Sequence, residues 1–390
     1  MAKRAAHRLA AVERSATVAL LDRVQQLRAT GAALVDLSRG EPDFVTPGEV
    51  TEAAVAALRA GRTHYSPSRG LPALREAIAA KLSADNGIVV GAADGVLVTP
   101  SAKLALYAAL TSLLDPGDEV VIPSPGWVSY AAMVSLAGAA PVPALLDPAT
   151  GFRITEGVIE AAVTPATRVL LLNSPNNPTG RMTDAAELDA VLTVARRHDL
   201  VIISDEIYEH IRYDDRPHLS PAAYFLENTL TVNGFSKSHA MTGWRLGYLA
   251  GPADLVSAAL KVQEHSVSCA ATFTQIAGTT ALEDSRPAVE EMLSAYTARR
   301  ALLVEGLNSL PGVTCARPEG SFYAFPDISG TGVPDGSDFA EWMLDDAGVV
   351  MTPGPAFGAG GHAHVRLSFA ASENELTQAL ERMDKALRGR

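Results

Sequence analysis

From about residue 95 the chain repeats one pattern: a short, almost wholly apolar run, then a helix-length segment. The runs are "GVLVT" (95–99), "EVVIP" (119–123), "RVLLLN" (168–173), "LVIISD" (200–205), "TLTVNG" (229–234) and "RLGYLAG" (245–251). Helical patterns over 102–114, 184–198 and 253–264 lie between them. Strands without polar alternation are buried on both faces, and the intervening helices supply the cover. The pattern predicts an α/β fold with a mostly parallel sheet. After about residue 285 the texture changes to one long helix followed by strands bounded by Gly and Pro, "VTCARP", "SFYAFPD" and "HVRLSFA", and a last helix. This predicts a large domain over 46–285 and a smaller α+β domain made of 1–45 and 286–390, with a helix around 16–29 joining the latter.

In open α/β sheets ligands collect at the carboxyl ends of the strands. The polar residues that close the runs therefore belong together: Ser101, Trp127, Asn177, Asp205 and Lys237. Ser101 and Ala102 open a helix, whose free N–H groups and dipole suit an anion, although Ser101 could be only a cap. Ser236 and Arg245 could complete a phosphate cradle. Asp205 could equally cap a helix or pair with a cation, and Tyr208 shares its side if a helical turn begins there. "NSPNNPTG" (173–180) could be only a loop, but Pro178 restricts the backbone of Asn177.

Composition narrows the classes. The chain has 390 residues, 47% hydrophobic, with a formal net charge of −12, which argues against a general nucleic-acid surface. No apolar run approaches the roughly 20 residues of a membrane span, and charges interrupt the basic N-terminus before a signal-peptide core forms. Cys269 and Cys315 form no CxxC, which fits idle thiols in a reducing cytoplasm. "GPAFGAGG" (354–361) does not follow a strand and open a helix, so it is no dinucleotide fingerprint, and "HAH" (362–364) lacks the company of a metal site.

One chemistry needs every part of the strand-end set. Pyridoxal phosphate is an aldehyde held by a lysine, with a carboxylate at its ring nitrogen, donors at its phenolate oxygen, an aromatic face over the ring and an anion site for its phosphate. Lys237, Asp205, Asn177 with Tyr208, Trp127, and Ser101, Ser236 and Arg245 fill those roles in turn.

Together with "HYSPSRGLPALREAI", "LDPGDEVVIPSPGWVSY", "NSPNNPTG", "ISDEIYEH", "GFSKSHAMTGWRLGY" and "VRLSFA", the chain resembles class I/II aminotransferases of pyridoxal-phosphate fold type I, near the bacterial aspartate aminotransferase branch. The resemblance implies a mostly parallel seven-stranded sheet in the large domain. It implies Lys237 as the lysine that bonds the cofactor and shuttles the proton, Asp205 at the ring nitrogen, Asn177 and Tyr208 at the phenolate oxygen and Trp127 on the ring face. Ser101, Ala102, Ser236 and Arg245 fall to the phosphate. Arg366 resembles the arginine that grips a substrate α-carboxylate, helped by the backbone of Gly40, with Asn177 and Trp127 beside it; from its alternating strand alone, Arg366 could be a solvated edge residue. Tyr65 resembles a tyrosine that reaches the neighbouring subunit's phosphate, which implies a homodimer with shared sites. Thr17 and Lys103 stand where this branch favours a distal carboxylate, and Lys103 also borders the cofactor.

The expected reaction is amino transfer between an aspartate-like or aromatic amino acid and a 2-oxo acid. The alternative is elimination, replacement or cyclisation on the same cofactor, for example with a sulfonium amino acid. A non-catalytic sensor would carry an added DNA-binding module and need not keep Lys237. Three departures from the branch, Arg69, Gly126 and His239, read first as drift, with a pocket reshaped for a bulkier or anionic substrate as the alternative.

Overall fold

The computed structural model describes Leu9, Val12 and residues 16–389. Its strands are β1 (Val35–Asp36), β2 (Val96–Thr99), β3 (Glu119–Ser124), β4 (Ala140–Leu145), β5 (Thr167–Asn173), β6 (Val201–Asp205), β7 (Thr229–Gly234), β8 (Gly247–Ala250), β9 (Tyr323–Ala324), β10 (Val349–Val350), β11 (Thr352–Pro353) and β12 (Val365–Ser368). Seven of them form one sheet in the order β2-β8-β7-β6-β5-β3-β4. All neighbours in it are parallel except β8, which runs antiparallel to both β2 and β7.

The apolar runs are continuous because both faces of this sheet are covered. Along β5, Val169 and Leu171 join one buried cluster with Ala105, Leu106 and Ala109 of the helix Ala102–Leu113. Leu170 and Leu172 point the other way, into a cluster with Leu188, Val191 and Leu192 of the helix Ala185–Arg197. Each such leucine contributes about 1.5–3 kcal/mol by leaving water, so the two-residue period fixes the register on both faces. Asp184 and Glu187 start the second helix with a reciprocal capping box, worth about 1 kcal/mol.

Two sequence expectations fail locally. β4, "APVPAL", is absent from the apolar runs because Pro141 and Pro143 read as a break. It is the terminal strand of the sheet, where a missing N–H donor is tolerated. "VTCARP" is not a strand; it makes a single isolated bridge, Thr314 to Asp327.

The C-terminal elements form a three-stranded antiparallel sheet, β11-β12-β9, beside the helices Arg286–Ser309 and Glu373–Arg388. β1 pairs in parallel with β10, so the segment before the large sheet is stitched to the C-terminal part. A helix spans Ala16–Ala29 as expected. The side chain of Thr17 lies outside the described residues.

Candidate active site

The carboxyl ends of β5, β6 and β7, the start of the helix after β2, and β12 enclose one cavity of about 390 Å³. Gly40, Ser101, Ala102, Lys103, Trp127, Asn177, Asp205, Tyr208, Ser236, Lys237, Arg245 and Arg366 all line it. Twelve of the fourteen residues read from the sequence thus meet in one place. Of the other two, Tyr65 is 89% exposed on this chain, and the side chain of Thr17 lies outside the described residues.

At one end the chain turns sharply from β2 into the helix Ala102–Leu113. Ser101 sits at φ 99° and its hydroxyl accepts from the Leu104 N–H at 3.4 Å. A Cβ on Gly247 would lie 2.2 Å from the Ala102 nitrogen, so β8 can press against this turn only with a glycine there. The N–H groups of Ala102 and Lys103 belong to the first helical turn and have no intrahelical acceptor. Arg245, at φ 54°, donates to the Thr242 carbonyl at 2.7 Å and brings its charge to the same end.

Asp205 and Tyr208 leave β6 on a single tight turn, closed by Glu209 N–H to Glu206 O at 2.9 Å and Ile211 N–H to Tyr208 O at 2.8 Å. Burial pushes the Asp205 carboxyl up to about 6, although Tyr130 opposes this by donating its phenol to Asp205 Oδ2 at 2.7 Å. The Tyr208 hydroxyl lies 3.0 Å from that of Tyr323. Lys237 follows β7, and its ammonium donates to the Gly40 carbonyl. Burial lowers its pKa to about 8, with Glu41 opposing the shift and Arg366 and Arg245 adding to it.

Arg366 is 2% exposed, so it is not a solvated edge residue. It donates to Asn177 Oδ1 at 3.0 Å, the Ser38 carbonyl at 2.8 Å and Thr352 Oγ1 at 3.2 Å, and its guanidinium lies 4.3 Å from the centre of the Tyr323 ring. Its Nε is buried and has no partner among the described residues. The backbone N–H of Asn177 is itself fixed by Asn173 Oδ1 at 2.9 Å, and Asn173 donates to the Asp205 carbonyl.

Sequence reasoning missed Tyr130, Tyr323 and Asn173. Tyr130 lies three residues beyond Trp127, one helical turn away, and Asn173 closes β5 as Asp205 closes β6. Tyr323 belongs to "SFYAF", where three neighbouring apolar residues, Phe322, Ala324 and Phe325, hide its polar tip.

The three departures do not reshape this cavity. Arg69 donates to the Asp94 carbonyl at 2.8 Å and to Ser257 Oγ at 3.2 Å, acceptors that account for its charge without a ligand. A Cβ on Gly126 would meet the Pro123 carbonyl oxygen at 2.8 Å, so the glycine faces packed chain rather than open space. His239 is buried behind the lysine loop, with Nδ1 2.7 Å from Ser238 Oγ, and burial and His210 lower its pKa to about 3.

A mostly parallel sheet that brings a lysine and a buried carboxylate to its carboxyl rim, facing a buried arginine from a second sheet, defines a site for charged small molecules. Residues 32–383 match the family model "Aminotransferase class I and II". The chain is 46% identical over 384 residues to an aspartate aminotransferase of Musicola paradisiaca, covering 98% of this chain and 96% of that one. It is 45% identical to an aspartate/prephenate aminotransferase of Thermus thermophilus, covering 97% and 98%. The solved structure of the Thermus thermophilus aspartate aminotransferase with maleate superposes with a TM-score of 0.94 at 43% identity, covering 98% and 100%. The chain belongs to the class I and II aminotransferase family. It is a transferase enzyme that moves amino groups, and nothing in these relatives favours the elimination alternative.

Proposed function

We propose that the protein uses pyridoxal phosphate to move an amino group between a dicarboxylic amino acid and a 2-oxo acid. The observation that carries this reading is the cavity itself. It joins a lysine of lowered pKa, a buried carboxylate and a buried guanidinium with one N–H unpartnered among the described residues.

The residues fit the cofactor. First-turn N–H groups of Ala102 and Lys103, the hydroxyls of Ser101 and Ser236, and Arg245 form a donor set for a phosphate, pressed against a strand by Gly247. Asp205 would sit at the ring nitrogen, Tyr208 and Asn177 at the phenolate oxygen, and Trp127 on the ring face. When bound, the cofactor supplies an exchangeable aldehyde and a ring that delocalises charge from the substrate Cα.

The protein's own part follows from its electrostatics. Lys237 would hold the cofactor and would take the Cα proton at Nζ; a pKa near 8 suits a base at neutral pH. Asp205 would keep a proton on the ring nitrogen, because a full negative charge without water costs least beside a cation. Arg366 binds the α-carboxylate through its forked N–H groups, which orients the Cα–H bond toward Lys237. The Lys103 ammonium, 4.8 Å from the centre of the Trp127 ring, serves the distal carboxylate. The maleate bound to the Thermus thermophilus relative is itself a dicarboxylate, which supports this preference.

Two finer points complete the reading. Tyr65 of the partner subunit reaches the phosphate in a homodimer, which explains why so large an aromatic is exposed on one chain. The chain divides into a large domain over 46–285 and a small one of 1–45 and 286–390, supported by the β1–β10 pairing.

The test is a panel of amino acids added to cofactor-loaded protein, following the visible band and the 2-oxo acid formed. Aspartate and glutamate should react, and Lys103→Ala should cost them about 1.5–3 kcal/mol in kcat/KM while sparing phenylalanine. Equal losses on all three substrates would remove Lys103 from substrate recognition.

A further inference from the structure

The turn that presents Asp205 and Tyr208 has a second face. Residues i and i+3 point into the cavity, and the next pair, Glu206 and Glu209, points away from it into the protein. Glu206 is 0% exposed and Glu209 4%. Two buried carboxylates one turn apart would repel each other and lose their hydration unless something answers both.

The answer is a hydrogen-bonded network that leaves His218 Nδ1 without a partner among the described residues. Glu206 accepts from Ser204 Oγ at 2.9 Å, from Ser220 Oγ, from His218 Nε2 at 2.8 Å and from Asn86 Nδ2 at 3.3 Å. Glu209 accepts from Asn86 Nδ2 at 2.6 Å, from Asn233 Nδ2 at 2.7 Å and from the Lys81 ammonium, with His210 Nε2 at 3.3 Å. Lys81 also donates to Asn86 Oδ1 at 2.7 Å, which orients that amide. Glu206, Glu209 and His218 together have the composition of a metal site. The Lys81 ammonium already occupies the charged position against Glu209, so the cluster needs no ion.

What matters is which segments the network joins. Lys81 and Asn86 come from the helix Pro72–Asn86, His218 and Ser220 from the loop after the turn, and Asn233 from β7, the strand that delivers Lys237. One set of buried hydrogen bonds therefore holds both the Asp205–Tyr208 turn and the root of the lysine loop. None of its members except the turn's own backbone touches the cavity.

We propose that Glu206 and Glu209 are positioning residues for amino transfer, locking the turn so that Asp205 and Tyr208 keep their places relative to Lys237. This rests on the amino-transfer reading above. A buried ion pair adds little net stability compared with apolar side chains of similar size, so a pure stability role is a poor account of it. A pair retained for geometry should be replaceable without unfolding but not without loss of rate.

The experiment compares wild type with Lys81→Met/Glu209→Leu, which removes both charges and keeps apolar volume, and with Glu206→Gln. The double variant should load cofactor and keep a urea midpoint near that of wild type, while kcat for aspartate falls roughly 10- to 100-fold with KM little changed. Its crystal structure should show the Tyr130–Asp205 and Tyr208–Tyr323 hydrogen bonds lengthened, a result that does not depend on activity. Glu206→Gln should shift the pH midpoint of the cofactor's visible band, because the negative charge that faces Asp205 from the next residue, and raises that carboxyl, is gone. Folded variants with both contacts, kcat and band unchanged would overturn the proposal. So would failure of both variants to fold, which would make the network a stability element. Wild-type protein that forms no 2-oxo acid would instead sink the amino-transfer reading, and the crystal contacts would still judge the positioning role.

Discussion

The phenol of Tyr130 donates to Asp205 Oδ2 at 2.7 Å, and that bond sets how readily the buried carboxyl keeps its charge. Burial raises Asp205 to about 6 and the Tyr130 bond pulls the other way. In the cofactor-free protein the folded state holds this proton when the unfolded chain has lost it. This group's contribution to stability is therefore full below about pH 4 and is lost as pH rises through about 6.

Cofactor affinity should follow the charged form. Below about pH 6 the protonated carboxyl cannot pair with a pyridinium, so affinity should fall between about pH 7 and about pH 5. Asp205→Asn should bind with a flat profile and lose most activity. A fluorescence titration of cofactor binding across that range measures both.

Tyr130→Phe should move that midpoint upward by roughly one pH unit, the effect of losing one hydrogen bond to a charged group. A midpoint that stays in place would show that another donor replaces the phenol.

Lys237 should be the residue that sodium borohydride tags with the pyridoxyl group, found by peptide mapping. In cofactor-free protein its amine should react with an acylating reagent half-maximally near pH 8, where ordinary lysines are still largely protonated. Lys237→Ala should lower turnover by about 10²–10⁴ through loss of the proton transfer alone.

Arg366→Lys should cost about 2–3 kcal/mol in kcat/KM for every amino acid, whatever its side chain, because an ammonium cannot offer the planar fork. Steady-state kinetics on aspartate and phenylalanine would check this. A loss confined to aspartate would place Arg366 at the distal carboxylate instead.

Mixing Tyr65→Phe subunits with Lys237→Ala subunits should restore part of the activity, since each hybrid dimer would hold one site with neither defect. No recovery after verified subunit exchange would mean that each site is built within one chain.

The sheet and most of the site were legible because they rest on local rules. Apolar runs such as 168–173 must be buried on both faces, and a polar residue that ends such a run must emerge at one rim. Tyr130 and Tyr323 were not legible, because each is an aromatic inside an apolar stretch and only packing decides where its hydroxyl points. β4 was hidden because its prolines are tolerable only at an edge, and edge position is a property of the whole sheet. Arg69 and His239 drew attention for the opposite reason. Both looked conspicuous in the sequence, yet Arg69 finds a carbonyl and a hydroxyl acceptor nearby, and burial keeps His239 neutral beside Ser238.

The reversed direction of β8 has one more effect. β2, β3, β5 and β6 each deliver a rim residue as the chain leaves them, and the loop beyond leads away from the rim to the next helix or strand. β7 and β8 are antiparallel neighbours, so the chain leaves β7 carrying Lys237 and enters β8 just after Arg245, both at the same rim. The connection between Gly234 and Gly247 is thus tethered at both ends and carries a functional group near each. An insertion there would displace Lys237 and Arg245, the groups proposed to anchor the cofactor and to hold its phosphate, together, so length variation among chains of this design should collect in the other rim loops and avoid this one.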